Sequence, residues 1–205
     1  MKPRYMPLCL LVSGLAILVW SGLWPKDRLT WLMEVFPAII GGAILAATYK
    51  RFAFTTLCYV LAWMFSIILM AGGHWTYAEV PLGNWARDAF GLSRNHFDRL
   101  GHLFQGVIPA MLARELLVRT SPLRPGKWMT TICIALALAI SASYELFEWQ
   151  YAVIAGGQRA EDFLGSQGDI WDAQNDMAMA LIGSTVALLL LGRWHDRQMR
   201  RLAGR

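Results

Sequence analysis

Residues 128–153 read WMTTICIALALAISASYELFEWQYAV. From Trp128 to Ile140 only Thr130 and Thr131 interrupt an apolar run, and no charge occurs before Glu145. A helix rises about 1.5 Å per residue, so about 20 such residues cross the hydrocarbon layer of a bilayer. The stretch is long enough to do so, yet it ends with two acids one turn apart, Glu145 and Glu148. Acids in membrane segments are costly and almost always face a bundle interior or a water-filled cavity. The segment therefore predicts both a membrane helix and a polar site within it.

Five further stretches fit the same reading: residues 6–24, 29–49, 52–74, 99–118 and 175–194. The second carries Glu34, and the fourth opens beside Asp98 and His102. Composition agrees. Of 205 residues, 56% are hydrophobic and 16% charged, with mean hydropathy +0.39, against about 45–50% and about 25% in soluble domains. That excludes an ordinary soluble domain and a disordered chain. The expected fold class is all-α, a polytopic integral membrane helix bundle of six transmembrane helices in one domain, residues 1–205. Residues 1–24 have the outline of a signal peptide, but the apolar run is too long and no small-residue cleavage site precedes Pro25, so they read as a retained first helix.

Charge sets the expected orientation. With both termini in the cytoplasm, 13 of the 19 Lys and Arg residues fall on the inner side and 6 on the outer, as the positive-inside rule requires. Lys2, Arg4 and Arg205 belong to the first group and Arg159 to the second. The basic pI of about 9.4 is then topological, and the partners expected are membrane lipids and no nucleic acid. The expected location is a bacterial inner membrane. Acids show the opposite skew. Only Glu115 and Asp196 fall on the inner side, and Glu115 reads with Arg119 as an i,i+4 surface pair. Cys9, Cys58 and Cys133 are isolated, with no C-x-x-C pair and no His at ligand spacing, which excludes a disulfide scaffold. Small residues four apart, Gly42 with Ala46, Ala135 with Ala139, and Ala180 with Ser184, mark candidate close helix contacts. Pro109 is a candidate kink, and residues 85–92 a short interfacial helix.

Three segments hold the candidate chemistry. In Asn95–Gly106, Asp98, His102 and Gln105 share one helical face. In Ser141–Trp149, Ser141, Glu145 and Glu148 do the same. In Asp162–Met177, Asp169, Asp172 and Asp176 share a face if the helix starts by Asp169; with a later start, Asp172 is an N-cap candidate. The six-span topology brings all three to the outer ends of their helices, with Glu34 and His74 at the same level. Asp98, His102, Glu145, Glu148, Asp172 and Asp176 are the candidate catalytic residues. Asp98, His102, Glu145 and Asp172 are the candidate ligands of a divalent metal, since two close carboxylates repel unless a cation or proton lies between them. Asp88, Glu161 and Asp162 read as solvated acids, His74 and His96 as interface residues, and Tyr144, Trp149 and Trp171 as interfacial belt residues.

These segments contain N-x-F-D-R-x-G-H-x-x-Q-G at Asn95–Gly106, Y-E-x-x-E-W at Tyr144–Trp149, and D-F-L-G-S-Q-G-D-x-W-D-A-Q-x-D-M at Asp162–Met177. In them the chain resembles the YjdF-type family of uncharacterised bacterial inner-membrane proteins of five or six spans, a resemblance that implies the membrane fold and no activity. More faintly, the order of acid, His, Glu and Asp-x-x-x-Asp resembles the VanZ-like group of envelope proteins, over the last three spans only; the D-F-L-G-S-Q-G-D segment departs from that pattern. Three functions remain open: a metal- or acid/base-dependent site for a lipid-linked or envelope substrate, a non-catalytic lipid-binding protein with a structural polar network, and a proton-coupled transporter.

Overall fold

The computed structural model describes residues 5–204, apart from the side chains of Gln158 and Arg159. Lys2, Arg4, Arg205 and the Arg159 side chain, counted in the charge balance, lie outside the described residues. The chain is helical, with no strand among the described residues. In order come α1 (Met6–Gly22), α2 (Arg28–Thr48), α3 (Thr56–Trp75), a 3₁₀ turn (Tyr77–Glu79), α4 (Pro81–Phe90), α5 (Phe97–Thr120), α6 (Lys127–Ala155), α7 (Gly157–Leu164) and α8 (Asp172–Ala203).

The starts of α2 and α3 follow from capping chemistry. The Asp27 carboxylate accepts from the Leu29 and Thr30 N–H groups at 3.0 and 2.8 Å, and the Thr55 hydroxyl accepts from Cys58 N–H at 3.4 Å, filling donors that a helix start leaves open. At its end α4 turns on Gly91 in the left-handed region, φ +62°. This short helix begins four residues before the expected segment. Two differences concern α8. It begins at Asp172, so Asp169 lies in the preceding turn and the expected three-aspartate face is reduced to Asp172 and Asp176. It also continues past the apolar run, through His195, to Ala203; Arg, Gln, Met and Leu are good helix formers without being apolar enough to extend a span reading.

Four helices, α2, α3, α6 and α8, are long and apolar enough to cross a membrane, and α1 is a shorter apolar helix of 17 residues. The exception among the long helices is α5, which has the membrane length but carries buried Asp98, Arg99, His102, Gln105, Arg114 and Glu115. It packs against α3, α6 and α8, so its surroundings are largely protein and its composition is free of the demand that lipid makes.

The most extensive helix pair is α5 with α8. At their crossing a methyl group on Gly106 would collide with the Ala180 carbonyl, and one on Gly183 with the Leu103 carbonyl. Ala180 and Ser184 are fully buried there. The other small-residue pairs do not pack this way. A side-chain carbon at Gly42 would meet nothing within 4 Å, and Ala46, Ala135 and Ala139 are exposed. Spacing permits close approach, but a facing helix is needed to use it.

At the Asp98 end of α5 the loops before α5 and before α8 are locked together. Asn95 N–H donates to Gln167 Oε1 at 3.0 Å, and Gln167 Nε2 donates back to the Asn95 carbonyl at 2.8 Å. The Asn95 side chain also donates to the Val80 carbonyl and Asn84. Beside them α7, which no sequence pattern announced, buries Phe163.

Gly106→Leu or Gly183→Leu is expected to lower stability by about 1–3 kcal/mol or more through overpacking, whereas Gly42→Ala leaves it level or slightly raised. Thermal unfolding of the detergent-solubilised variants checks the contrast.

Candidate functional site

Two arginines organise the outermost layer of the site. Arg94 Nη1 donates to Asp172 Oδ1 at 2.7 Å, and its Nη2 to the Gly165 carbonyl at 2.9 Å. Arg99 Nη2 donates to Asp172 Oδ1 at 2.7 Å and Asp169 Oδ2 at 2.9 Å. Its Nη1 reaches the Asp172 carbonyl at 2.9 Å and lies 2.6 Å from Asp176 Oδ1. Both guanidiniums are largely buried, and their planar, permanently charged forks suit several carboxylates at once.

Asp169, outside the helices, is held below the usual carboxylate range. The chief cause is the hydrogen bond from Trp171 N–H, helped by Asn175 and the two arginines. Nearby, Lys26 bridges Glu79 at 2.8 Å and Asp162 at 3.2 Å. Burial alone would lower its pKa, but these two bonds outweigh that and raise it. Asp162 is thus an ion-pair partner and not only a solvated acid.

Beneath this layer lies His102. Its Nδ1 is 2.9 Å from Gln105 Oε1 and 3.4 Å from Glu145 Oε1, and its Nε2 is 3.5 Å from Asp98 Oδ1. Asp98 stands in the first turn of α5, where the helix dipole favours an acid. Two trios bring ligand-type atoms within 4.8 Å of one another: Asp98, His102 and Asp176, and His102, Glu145 and Glu148. Several buried polar atoms have no hydrogen-bond partner, among them Glu34 Oε1, Asp98 Oδ2, Ser141 Oγ, Glu145 Oε1 and Asp176 Oδ1. Asp176 Oδ1 is nonetheless ion-paired, 2.6 Å from Arg99 Nη1, and Glu145 Oε1 lies 3.4 Å from His102 Nδ1.

Glu34, Asp98, His102, Gln105 and Glu148 border a cavity of about 530 Å³. Glu34, Asp98, His102, Tyr144 and Glu148 form its polar part; Phe36, Ile40, Phe65, Leu69, Leu136, Ile140 and Phe147 are among its apolar walls. On the rim, Phe36 and Ile40 of α2 and Ile140 and Phe147 of α6 are all exposed. Across the gap between α2 and α6 the Tyr144 hydroxyl donates to Glu34 Oε2 at 3.4 Å. The chamber thus has an acidic floor and an apolar mouth on the side of the bundle.

Of the candidate residues, Asp98, His102 and Glu148 line this floor, while Glu145 and Asp176 are off the lining, each at ligand spacing to His102. Asp172 sits one layer out, paired with Arg94 and Arg99, and belongs to neither ligand-spaced trio. Trp149 and Trp171 are exposed, as belt residues are. Tyr144 is not a belt residue but lines the cavity. His74 stacks on Trp20 at 4.8 Å, and its Nδ1 is 2.9 Å from the Ser21 carbonyl, away from the site. Sequence reasoning missed Arg94 and Arg99, treating them only as topological charges; the alternation of Arg and Asp in R-N-H-F-D-R was the available signal.

A family model described as "Predicted membrane protein (DUF2238)" matches residues 6–197. The chain belongs to this family. It is 50% identical over 198 residues to the inner membrane protein YjdF of Escherichia coli (strain K12), covering 95% of this chain and 94% of that protein. No solved structure matches. The DUF2238 description and the relative's name state a membrane location and no reaction, so the chemistry of this DUF2238 member rests on the geometry above.

Arg99→Gln leaves buried Asp176 without its arginine, while Asp169 and Asp172 keep Arg94, and should cost about 3–5 kcal/mol, the range for breaking a buried pair; adding Asp176→Asn should restore part of it, and thermal unfolding in detergent measures both. Because Asp169 has a folded-state pKa below its unfolded value of about 3.9, its stabilisation is complete above that value and fades as pH falls through the lowered one. An acid titration of unfolding temperature should therefore drop less steeply in Asp169→Asn.

Proposed function

We propose that the chamber is a membrane-embedded site acting on a lipid-linked or other envelope substrate, with a divalent cation held near Asp98, His102, Glu145 and Asp176. In this reading the chain crosses an inner membrane six times with both termini in the cytoplasm, and the chamber lies in the outer leaflet. The observation that carries it is a surplus of buried carboxylate oxygens without hydrogen-bond partners, around one imidazole, beside a cavity with an exposed apolar rim. The surplus acid favours a cation and repels a bare phosphate; a divalent ion would offset that repulsion and let a phosphorylated headgroup in. Oxygen and imidazole donors suit Mg²⁺, Mn²⁺ or Zn²⁺. Glu148, on the cavity wall, is the group placed to take or give a proton. Ser141 is buried with no base bonded to its hydroxyl, which argues against a serine nucleophile. The mouth between α2 and α6 suits a substrate whose tail stays in lipid.

A non-catalytic lipid-binding role is the second reading, favoured by the closed Arg94–Arg99–aspartate layer, which is organised as structural glue. The proton-coupled transporter has less support, because the buried residues midway along α5 and α8, such as Ile108, Ala110, Ala180 and Ala187, offer no relay.

Mn²⁺ binding to the detergent-solubilised protein, followed by electron paramagnetic resonance, tests the proposal. One tight ion is expected, weakened at least about tenfold in Asp98→Asn and His102→Ala. Protein that takes up no ion, unfolds at the same temperature with and without chelator, and carries a tightly held lipid in mass spectrometry would replace it with the second reading.

A further inference from the structure

Seventeen residues beyond Asp98, about 25 Å along α5, a second polar centre closes the opposite end of the bundle. Glu115 and His195 are 0% exposed and Cys58 1%. Cys58 Sγ lies 3.2 Å from Glu115 Oε2 and 3.5 Å from His195 Nε2, and that nitrogen is 2.9 Å from Glu115 Oε2. The three come from α3, α5 and α8. The expected surface pair of Glu115 with Arg119 exists, at 2.7 Å, but Glu115 is the buried hub of this cluster. The three cysteines, read as lacking a His partner, include one that tertiary structure supplies with it.

We propose that Cys58, Glu115 and His195 form a metal site for a single borderline-soft cation such as Zn²⁺, separate from the acidic chamber. Tetrahedral zinc, with bonds of about 2.3 Å to sulfur and about 2.0–2.1 Å to nitrogen and oxygen, has ligand–ligand edges of about 3.3–3.6 Å. The three observed separations lie within about half an ångström of that. The carboxylate is already oriented: Arg119 Nη1 and the Thr55 N–H hold Oε1 at 2.7 and 2.9 Å, and Oε2, which takes the Thr55 hydroxyl at 2.7 Å and its N–H at 3.1 Å, also faces the sulfur and the ring nitrogen. Outer partners of this kind fix ligand orientation in metal sites. A water or a backbone carbonyl would complete the coordination.

The cluster is not arranged as a nucleophilic triad. In such a relay the carboxylate bonds one ring nitrogen and the nucleophile the other; here both converge on Nε2, and all three groups are sealed from solvent. The proton account for metal binding is simple. The incoming hydrated cation displaces the thiol proton onto one of the waters it sheds, forming the sulfur–metal bond, and the neutral imidazole shifts its proton from Nε2 to Nδ1 so that Nε2 is free to ligate. Arg114 Nη1, now 3.4 Å from Nδ1, must then turn away; its Nη2 is already anchored to Asp196 at 2.7 Å. A thiolate separates this site from the oxygen-rich chamber, because soft donors favour zinc over magnesium or manganese.

The test uses the full chain purified in detergent. Zinc is assayed as isolated, then the chelated protein is titrated with Co²⁺ while near-ultraviolet thiolate-to-cobalt absorption is recorded. About one equivalent of zinc or cobalt beyond any ion held by the chamber, and a clear absorption band, are expected; in His102→Ala, which leaves this centre untouched, the band and one equivalent remain. Cys58→Ser keeps a hydrogen-bond donor beside Glu115 but should abolish the band and weaken the metal at least tenfold. If that variant does not fold, the double variant Cys9→Ser, Cys133→Ser, in which Cys58 is the last thiol, must keep the band. Wild-type protein without zinc and without the band overturns the proposal, as does a band that survives Cys58→Ser or is lost from the double variant.

Discussion

The contact of α5 with α8 at Gly106 and Gly183 sets the distance on which both polar centres depend. Each glycine faces a carbonyl of the other helix with no room for a side chain. That close approach carries Asp176 up to Asp98 and Arg99 at one end and His195 up to Glu115 at the other. A wider crossing would separate both groups by the same displacement. In a bundle where lipid supplies little hydrophobic drive between helices, such packing is a main source of association.

A central helix as polar as α5 is tolerable because its charges are answered by protein. Arg99, with Arg94 of the preceding loop, is matched to Asp169, Asp172 and Asp176, and Arg114 to Asp196. At the far end Glu115 accepts from Thr55, Arg119 and His195. The chamber differs: Glu34, Asp98 and Glu145 keep oxygens with no hydrogen-bond partner. Unsatisfied buried groups are expensive. Their retention beside a cavity is the physical ground for reading that end as a binding site.

The legible parts of the site were those written on single helices. Asp98 with His102, and Glu145 with Glu148, share a face by spacing alone, and an acid beside a membrane-length apolar run announces a buried location. What stayed hidden needed a partner from elsewhere in the chain. Tyr144 has the composition of a belt residue, and only the position of α2 turns it toward Glu34. Arg94 and Arg99 differ from the other arginines only in their partners, and a charge balance by membrane side treats every arginine alike. Gly42 and Gly106 carry the same small-residue signal, yet only Gly106 has a helix against it.

By itself the sequence determined that this is a helical membrane protein and that its acids are concentrated at the ends of a few helices, because hydropathy over about 20 residues and side-chain period are local properties. Tertiary structure alone decided which of those groups meet. Cys58 and His195 are 137 residues apart in the chain and 3.5 Å apart in space. Asp172 belongs to the arginines, not to His102, because α8 starts at Asp172 and seats Asp176 one turn deeper. Proximity across helices depends on crossing distance and register, and neither is encoded in the spacing within any one of them.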